Sequence, residues 1–388
     1  MRIHRDGLGF TLLLGALAGL PALSIDMGLP ALPLIQSEFA PQPFSATLTL
    51  SVFMLGFGLA QLVIGPVSDR VGRRPVLLAA LALYTLGGLA SWMAPGMGGL
   101  LVARAIQGAG AAGGTVLAFA VIRDLFEGEA VRERLSTISL VFSLAPVIAP
   151  TIGGVVLQVA GWRAIFTFQL LTGLALLLVV LVGLPESRRS LPPARYFDIL
   201  RERRTLVFGM LGALNLGNVF CFVAGAPMVL LGALGLGITE FGLVFALITA
   251  GVLTGAGINR AAVRFGWSAA WPLGAGLIAA AAAAVTGTLA GAEALHTLYV
   301  LVPIFLLTTL SRGLVSPNVT HAALEHVPQM AGAGSALIGS MQMLTGALAG
   351  FIVGMMFDRF GPAGVMMTMA GFGVPAVLLW IYVERNYR

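Results

Sequence analysis

The sequence has 388 residues, of which 58% are hydrophobic and only 10% are charged. A typical soluble domain carries about 25% charged residues, and a water-soluble fold of this length has too little interior for so much apolar surface. Composition therefore excludes a soluble protein. It predicts a polytopic membrane protein, whose apolar surface is solvated by lipid.

The net charge is +6, and all 22 basic residues are arginine. Basic charge is also typical of nucleic-acid-binding proteins, but these arginines lie in short segments between apolar runs, where membrane topology explains them. We therefore expect no nucleic-acid partner. The single cysteine, Cys221, excludes an internal disulfide.

Twelve apolar runs are each long enough to cross a bilayer as a helix, which takes about 20 residues. They fall at 8–35, 43–68, 75–94, 98–122, 134–159, 164–184, 205–230, 239–259, 270–291, 297–319, 331–356 and 363–383. All twelve are predicted to be helices, because an open sheet edge has no hydrogen-bond partner in lipid. The first run is too long for a signal-peptide core, so we expect it to be a retained span.

The arginines are distributed unevenly between the two sets of alternating loops. One set holds 18 of them, the other holds only Arg163 and Arg359, and Arg104 and Arg312 lie inside spans. Cytoplasmic loops are enriched in arginine. This pattern predicts that both termini lie in the cytoplasm.

The longest polar stretch, 185–204, separates two segments of equal length, 1–184 and 205–388. The motif Gly65-x-x-x-Asp69-Arg70-x-x-x-Arg74 recurs in weaker form from Gly255 to Arg264, in each segment between the second and third spans. We therefore predict two pseudo-symmetric six-helix bundles joined by a cytoplasmic connection.

Four stretches resemble motifs of the major facilitator superfamily. Residues 65–75 resemble its G-x-x-x-D-R-x-G-R-R motif, and Arg104-Ala-Ile-Gln107-Gly108-Ala-Gly110 resembles R-x-x-Q-G-x-G. Residues 145–154, with Pro146, Pro150, Gly153 and Gly154, resemble the "antiporter" motif in the form found in bicyclomycin and chloramphenicol exporters. Residues 26–33 resemble the D-x-x-L-P-x-x-P element of the same subgroup. The resemblance implies the all-α, twelve-span major facilitator fold.

Asp26 is the only acid expected well inside a span. Because an ionisable group in the membrane is costly, it is by default a functional candidate, here a proton carrier or a contact for a cationic substrate. The alternative is a carboxylate solvated near the outer surface. The resemblance implicates Arg104 in proton coupling, and its expected partner is either Asp26 or a carbonyl freed near Pro21 or Pro30.

The charged hairpin at 65–75 lies between two spans and must therefore sit at a membrane surface. We expect it to form a cytoplasmic gate through a charge network with the end of span 4; the alternative is that its arginines only set topology. The proposed gate residues are Gly65, Asp69, Arg70, Gly72, Arg73, Arg74 and Asp124.

The two prolines of residues 145–154 predict a bend in span 5. The resemblance implies a tightly packed wall against proton leakage; the alternative is a simple kink. Polar residues inside other spans are candidates for the substrate cavity, namely Gln107, Asn215, Asn218, Arg312 and Gln342.

No feature predicts an enzyme, a cofactor or a metal site. A nucleotide-binding G-x-x-x-x-G-K-[ST] loop is impossible without lysine, so ATP is not the direct energy source. The prediction is proton-coupled efflux of small amphipathic drugs, such as amphenicol- or bicyclomycin-like compounds, by alternating access. The expected protein is a monomer of the bacterial inner membrane, in contact with lipids, protons and its substrate. The alternative is proton-linked import or export of a small metabolite.

Overall fold

The computed structural model describes residues 7–40, 45–187, 196–290, 295–325, 327 and 330–386. Arg2 and Arg5, and residues 188–195 of the predicted connection, lie outside the described residues.

Twelve helical spans are long and apolar enough to cross a membrane, as the sequence predicted. The helices of the first bundle are α1 (Leu8–Asp26), α2 (Leu32–Glu38), α3 (Leu48–Val71), α4 (Arg73–Trp92), α5 (Met97–Leu125), α6 (Glu129–Ala160) and α7 (Trp162–Gly183). A short helix in the connection, α8 (Tyr196–Arg201), precedes the second bundle. That bundle comprises α9 (Arg203–Ala226), α10 (Ile238–Arg264), α11 (Ala270–Leu289), α12 (Leu298–Leu324), α13 (Ala331–Phe360) and α14 (Pro362–Asn386).

An even number of spans brings the beginning of α1 and the end of α14 to the same face of the molecule. The turn between α3 and α4 lies on that face too, so we call it the hairpin face and the opposite one the far face.

The first span is not one continuous helix, because Pro30 removes a helical hydrogen bond. Pro30 has no N–H to donate to the Asp26 carbonyl four residues earlier, and α1 ends at Asp26. A turn and a 3₁₀ segment, Leu29–Ala31, then lead into α2. The seventh span changes pitch at a similar depth, where the π-helical segment Pro227–Ala233 follows α9.

Glycines allow the helices within each bundle to approach closely. A Cβ on Gly56 would meet the Ala105 carbonyl of α5, and a Cβ on Gly108 would meet the Phe53 carbonyl of α3. The pair α10–α12 repeats this arrangement. A Cβ on Gly255 would meet the Leu310 carbonyl, and a Cβ on Gly313 would meet the Val252 carbonyl. The G-x-G pattern around Gly108 is therefore a packing surface inside a helix, as lipid-embedded bundles require.

Among the described residues, two long helix pairs make most of the contacts between the bundles. Helices α3 and α13 pack along their lengths, and Ser340 of α13 donates a hydrogen bond to the Gly58 carbonyl at 2.7 Å. Helices α6 and α10 meet near the far face, where Gly242 packs against Thr151 and the Gln158 amide donates to the Thr239 hydroxyl at 3.3 Å.

The close approach at Gly108 predicts that Gly108→Val destabilises the protein. The added side chain has no space against the α3 backbone, and overpacking of this kind costs about 1–3 kcal/mol. We expect a lower unfolding temperature and less monodisperse protein in size-exclusion chromatography. Gly98→Val, in the same helix but with no atom within 4 Å of its Cβ position, is the control. Equal behaviour of the two variants would contradict this prediction.

Candidate functional site

Asp26 lies at the end of α1, inside the membrane-spanning part of the first bundle. Its side chain is only 6% exposed. Within the described part of the chain, its carboxyl group has no hydrogen-bond or ion-pair partner. A buried ionised carboxylate without donors is costly, whereas its protonated form is neutral. Asp26 therefore has the surroundings of a group that changes its proton occupancy.

Arg104 is buried among neutral partners. Its guanidinium donates to the Gln107 side-chain oxygen at 2.6 Å, to the Ser24 carbonyl at 2.8 Å and to the Gln169 side-chain oxygen at 3.4 Å. It also lies over the Phe53 ring, 4.5 Å from the centroid. The Ser24 carbonyl is available because the Gly28 N–H bonds to Ile25 instead. The structure therefore places neither predicted partner beside Arg104: the acceptor is the Ser24 carbonyl, which is freed at the end of α1 and not by Pro21 or Pro30.

One further residue, Tyr84, completes this arrangement. We call it the Arg104 cluster: Ser24, Tyr84, Arg104, Gln107 and Gln169. The Tyr84 and Ser24 hydroxyls are 2.7 Å apart, and the Gln107 amide donates to Gln169 at 3.0 Å. Four helices, α1, α4, α5 and α7, thus contribute to one polar network. Gln107, predicted to line the substrate cavity, is fully buried in this cluster.

Helical geometry separates Asp26 from the Arg104 cluster. Asp26 follows Ser24 by two residues, so the two side chains project about 200° apart around α1. Seven residues before Asp26, on the same side of the helix, a Cβ on Gly19 would meet no atom within 4 Å. Asp26 therefore projects away from the cluster, on the side of α1 where Gly19 leaves open space.

The proline-rich motif of α6 packs directly against the break that follows Asp26. A Cβ on Gly153 would meet the Met27 carbonyl, and Gly154 contacts Ile238 of the second bundle. Pro146 and Pro150 both lie inside the continuous helix α6. This motif therefore contacts both the α1 break and the opposing bundle.

The polar candidates of the second bundle make three separate hydrogen bonds. The Arg312 guanidinium donates to the Gln342 side-chain oxygen at 2.8 Å, while Asn215 donates to the Ser311 hydroxyl at 2.8 Å and Asn218 to the Met369 carbonyl at 2.8 Å. Among these candidates, three buried atoms have no partner within the described residues: the side-chain oxygens of Asn215 and Asn218, and Nη1 of Arg312. Unlike Arg104, Arg312 thus retains an unused donor.

Arg73 is the centre of the charged network on the hairpin face. It is buried, and its guanidinium bonds Asp124 at 2.8 Å, Asp69 at 2.5 Å and the Ser68 hydroxyl at 2.6 Å. Gly72, which links α3 to α4, has φ +119°, a conformation that other residues rarely adopt. The network thus fastens together the ends of α3, α4 and α5.

Arg74 and Glu186 extend the network to α7. Arg74 donates to the Leu181 carbonyl at 2.6 Å rather than to an acid. The Glu186 carboxylate accepts from the backbone N–H groups of Arg73 and Arg74 at 2.8 and 3.2 Å, at the start of α4 where a helix favours an anion. Glu186 was not among the predicted site residues, and its only signal in the sequence is that it is an acid in an arginine-rich connection.

The weaker copy of the hairpin motif has different contacts. Asn259, which replaces the acid, is buried and accepts a hydrogen bond from the Asn318 amide at 2.7 Å. On the same face, the Glu325 carboxylate lies 3.8 Å from the Arg204 guanidinium.

Removing Arg73 should destabilise the hairpin face. Arg73→Met leaves the Asp69 and Asp124 carboxylates without their shared cation, and breaking a buried ion pair costs about 3–5 kcal/mol. We expect a lower unfolding temperature, with partial recovery in the double variant Arg73→Met/Asp124→Leu. Arg123→Met, an exposed arginine beside Asp124, is the control. The idea fails if the double variant is no more stable than Arg73→Met alone.

Comparison with known proteins agrees with this architecture. Residues 14–350 match the family model of the Major Facilitator Superfamily. The chain is 30% identical to the bicyclomycin resistance protein homolog of Haemophilus influenzae, covering 98% of this chain and 97% of that protein. It is 29% identical to multidrug resistance protein D of Escherichia coli, covering 86% and 84%.

Solved structures support the fold at low sequence identity. The human organic anion transporter MFSD10 superposes with a TM-score of 0.70 at 19% identity, covering 96% of this chain and 98% of that one. A bacterial homologue of the human lysosomal transporter Spinster gives a TM-score of 0.75 at 18% identity, covering 99% and 98%. The chain belongs to the Major Facilitator Superfamily and is a twelve-span membrane transporter of the type that includes the bicyclomycin and chloramphenicol resistance proteins.

Proposed function

We propose that this protein exports small amphipathic drugs from the bacterial cytoplasm in exchange for protons. The hairpin face is cytoplasmic, as the 18 arginines of its loops and both termini favour. The substrate class follows relatives named for resistance to bicyclomycin, chloramphenicol and multiple drugs.

The observation that carries the proposal is the buried carboxyl group of Asp26, which has no partner in the described part of the chain. With a proton it is neutral and tolerates apolar surroundings; without one it needs water, a cation or a donor group. Opening of the site to one face and then the other lets Asp26 load a proton outside and release it inside.

The Arg104 cluster has a different role in this scheme. Its guanidinium is already satisfied by Ser24, Gln107 and Gln169. Because Ser24 precedes Asp26 by two residues, the cluster holds the end of α1 in place. Arg104 therefore acts as a positioning residue for Asp26.

Alternating access follows from the contacts between the bundles. The α6–α10 contacts at Gly242 and Gln158 hold the two bundles together near the far face. The Arg73 network joins four helix ends of the first bundle, so that bundle moves as one body. The α3–α13 contact, with its Ser340–Gly58 hydrogen bond, lies between the moving bodies.

Exchange follows if proton and drug cannot occupy the site together. When Asp26 is protonated, the protein changes its access from one face to the other without a drug. When a drug is bound, Asp26 releases its proton. The membrane potential supplies the driving force, since a proton that enters the cell through 100 mV releases about 2.3 kcal/mol.

The test uses everted membrane vesicles, whose interior is acidified by respiration and monitored with a pH-sensitive dye. Added chloramphenicol should raise the interior pH in vesicles that contain the wild-type protein. Asp26→Asn should abolish this response, because its amide cannot release a proton. Asp358→Asn, an exposed acid on the far face, is the matched control and should respond like the wild type.

Other outcomes discriminate between the functions. Chloramphenicol uptake into vesicles without a change of pH would refute proton coupling. A response to small metabolites alone, with none to drugs, would replace drug export by metabolite transport. An undiminished response of Asp26→Asn would exclude Asp26 as the proton site.

A further inference from the structure

Three charged side chains lie seven or more residues from both ends of their spans in the described part of the chain: Asp26, Arg104 and Arg312. Their surroundings differ. Arg104 has three hydrogen-bond acceptors and two aromatic rings around its guanidinium. Arg312 has a hydrogen bond only to a neutral amide, and its Nη1 is buried without an acceptor.

The side chain of Arg312 cannot face lipid. It lies in the middle of α12, where exposing a guanidinium to hydrocarbon is costly. Neighbouring residues fill the other sides of the helix, because Gly313 packs on α10, Leu314 on Gly276 of α11, and Ser311 bonds Asn215 of α9. Arg312 is nevertheless partly exposed. Its exposed part therefore faces the space between the bundles.

The second orphaned group lies on the neighbouring helix. Asn215 donates to Ser311, the residue next to Arg312, and its side-chain oxygen is buried without a donor. These neighbouring parts of α9 and α12 therefore hold one unused guanidinium donor and one unused amide acceptor, both of them buried in this arrangement. A neutral molecule with both an oxygen acceptor and a hydroxyl or amide N–H satisfies both.

The net charge of the three deep side chains points to the same class of ligand. With two arginines and one acid, the three deep groups carry +1 when Asp26 is ionised and +2 when it is protonated. Charges in a low-dielectric interior act strongly on a ligand. A permanent cation is repelled, whereas a neutral or anionic molecule is not.

We propose that Arg312 is the specificity-determining residue of the drug site, and that it selects neutral or anionic amphipathic molecules with an oxygen acceptor over lipophilic cations. This inference rests on the proposed function, since it places the drug between the bundles. In the drug-bound arrangement the unused Nη1 of Arg312 donates to the acceptor oxygen of the drug, and the side-chain oxygen of Asn215 accepts a hydrogen bond from the drug. Asp26, on the first bundle, is left to the proton.

The test measures equilibrium binding to purified protein in nanodiscs with two probes. Chloramphenicol is neutral and carries nitro, amide and hydroxyl groups; tetraphenylphosphonium is a lipophilic cation without any hydrogen-bonding group. The wild type should bind chloramphenicol more tightly. Arg312→Met, close in size to arginine, should weaken chloramphenicol binding about 10- to 100-fold, the effect of one hydrogen bond to a charged group. Its tetraphenylphosphonium binding should remain equal or become tighter.

Two variants serve as comparisons. Arg312→Lys keeps the charge but lacks the planar fork of donors, so its chloramphenicol affinity should lie between those of the wild type and Arg312→Met. Arg260→Met, an exposed arginine at the hairpin-face end of α10, should bind both probes like the wild type. Unfolding temperatures verify that each variant is folded.

An unchanged chloramphenicol affinity in Arg312→Met overturns the proposal. Equal loss of both probes does so too, because it indicates a structural role, as does a wild type that binds tetraphenylphosphonium more tightly. Failure of the proposed function is distinct: chloramphenicol binding that depends on Arg312, without any pH response in vesicles, refutes drug–proton exchange but supports the assignment of Arg312.

Discussion

The cost of burying a charge where no water can reach it governs the interior of this protein. Three deep side chains meet that cost in different ways. Arg104 is surrounded by acceptors and rings, Arg312 is half satisfied, and Asp26 has no partner in the described part of the chain. The number of partners decreases from Arg104 to Arg312 to Asp26. A fully paired group is held in place, whereas an unpaired one is free to bind a proton or a ligand, so we expect a structural role for Arg104 and transport roles for Arg312 and Asp26.

Apolar length and arginine distribution were sufficient to predict the twelve spans, because lipid admits few other structures. The hairpin network was predictable in part, since Asp69 and Arg73 lie one helical turn apart and Asp124 ends the span that returns to the same face. The contact between them depends on Gly72, whose backbone conformation only a glycine adopts readily.

The Arg104 cluster could not be predicted in the same way. Its members come from four helices, and the decisive acceptor is a backbone carbonyl of Ser24, which no residue type reveals. The tension between pairing Asp26 with Arg104 and leaving it free to take up a proton is resolved by rotation around α1, because Ser24 and Asp26 project to opposite sides. Sequence alone gives the spacing of these two residues, but not which side of the helix meets α5.

Glu186 gives the connection between the bundles a mechanical property. Its carboxylate accepts hydrogen bonds from the first two N–H groups of α4, although Glu186 lies three residues beyond the end of α7. The connection between the two bundles is therefore attached to the start of α4 at Glu186, before it leaves the first bundle. Because Arg73 also bonds Asp124, any displacement of Glu186 acts directly on the charged network that holds the ends of α3, α4 and α5 together.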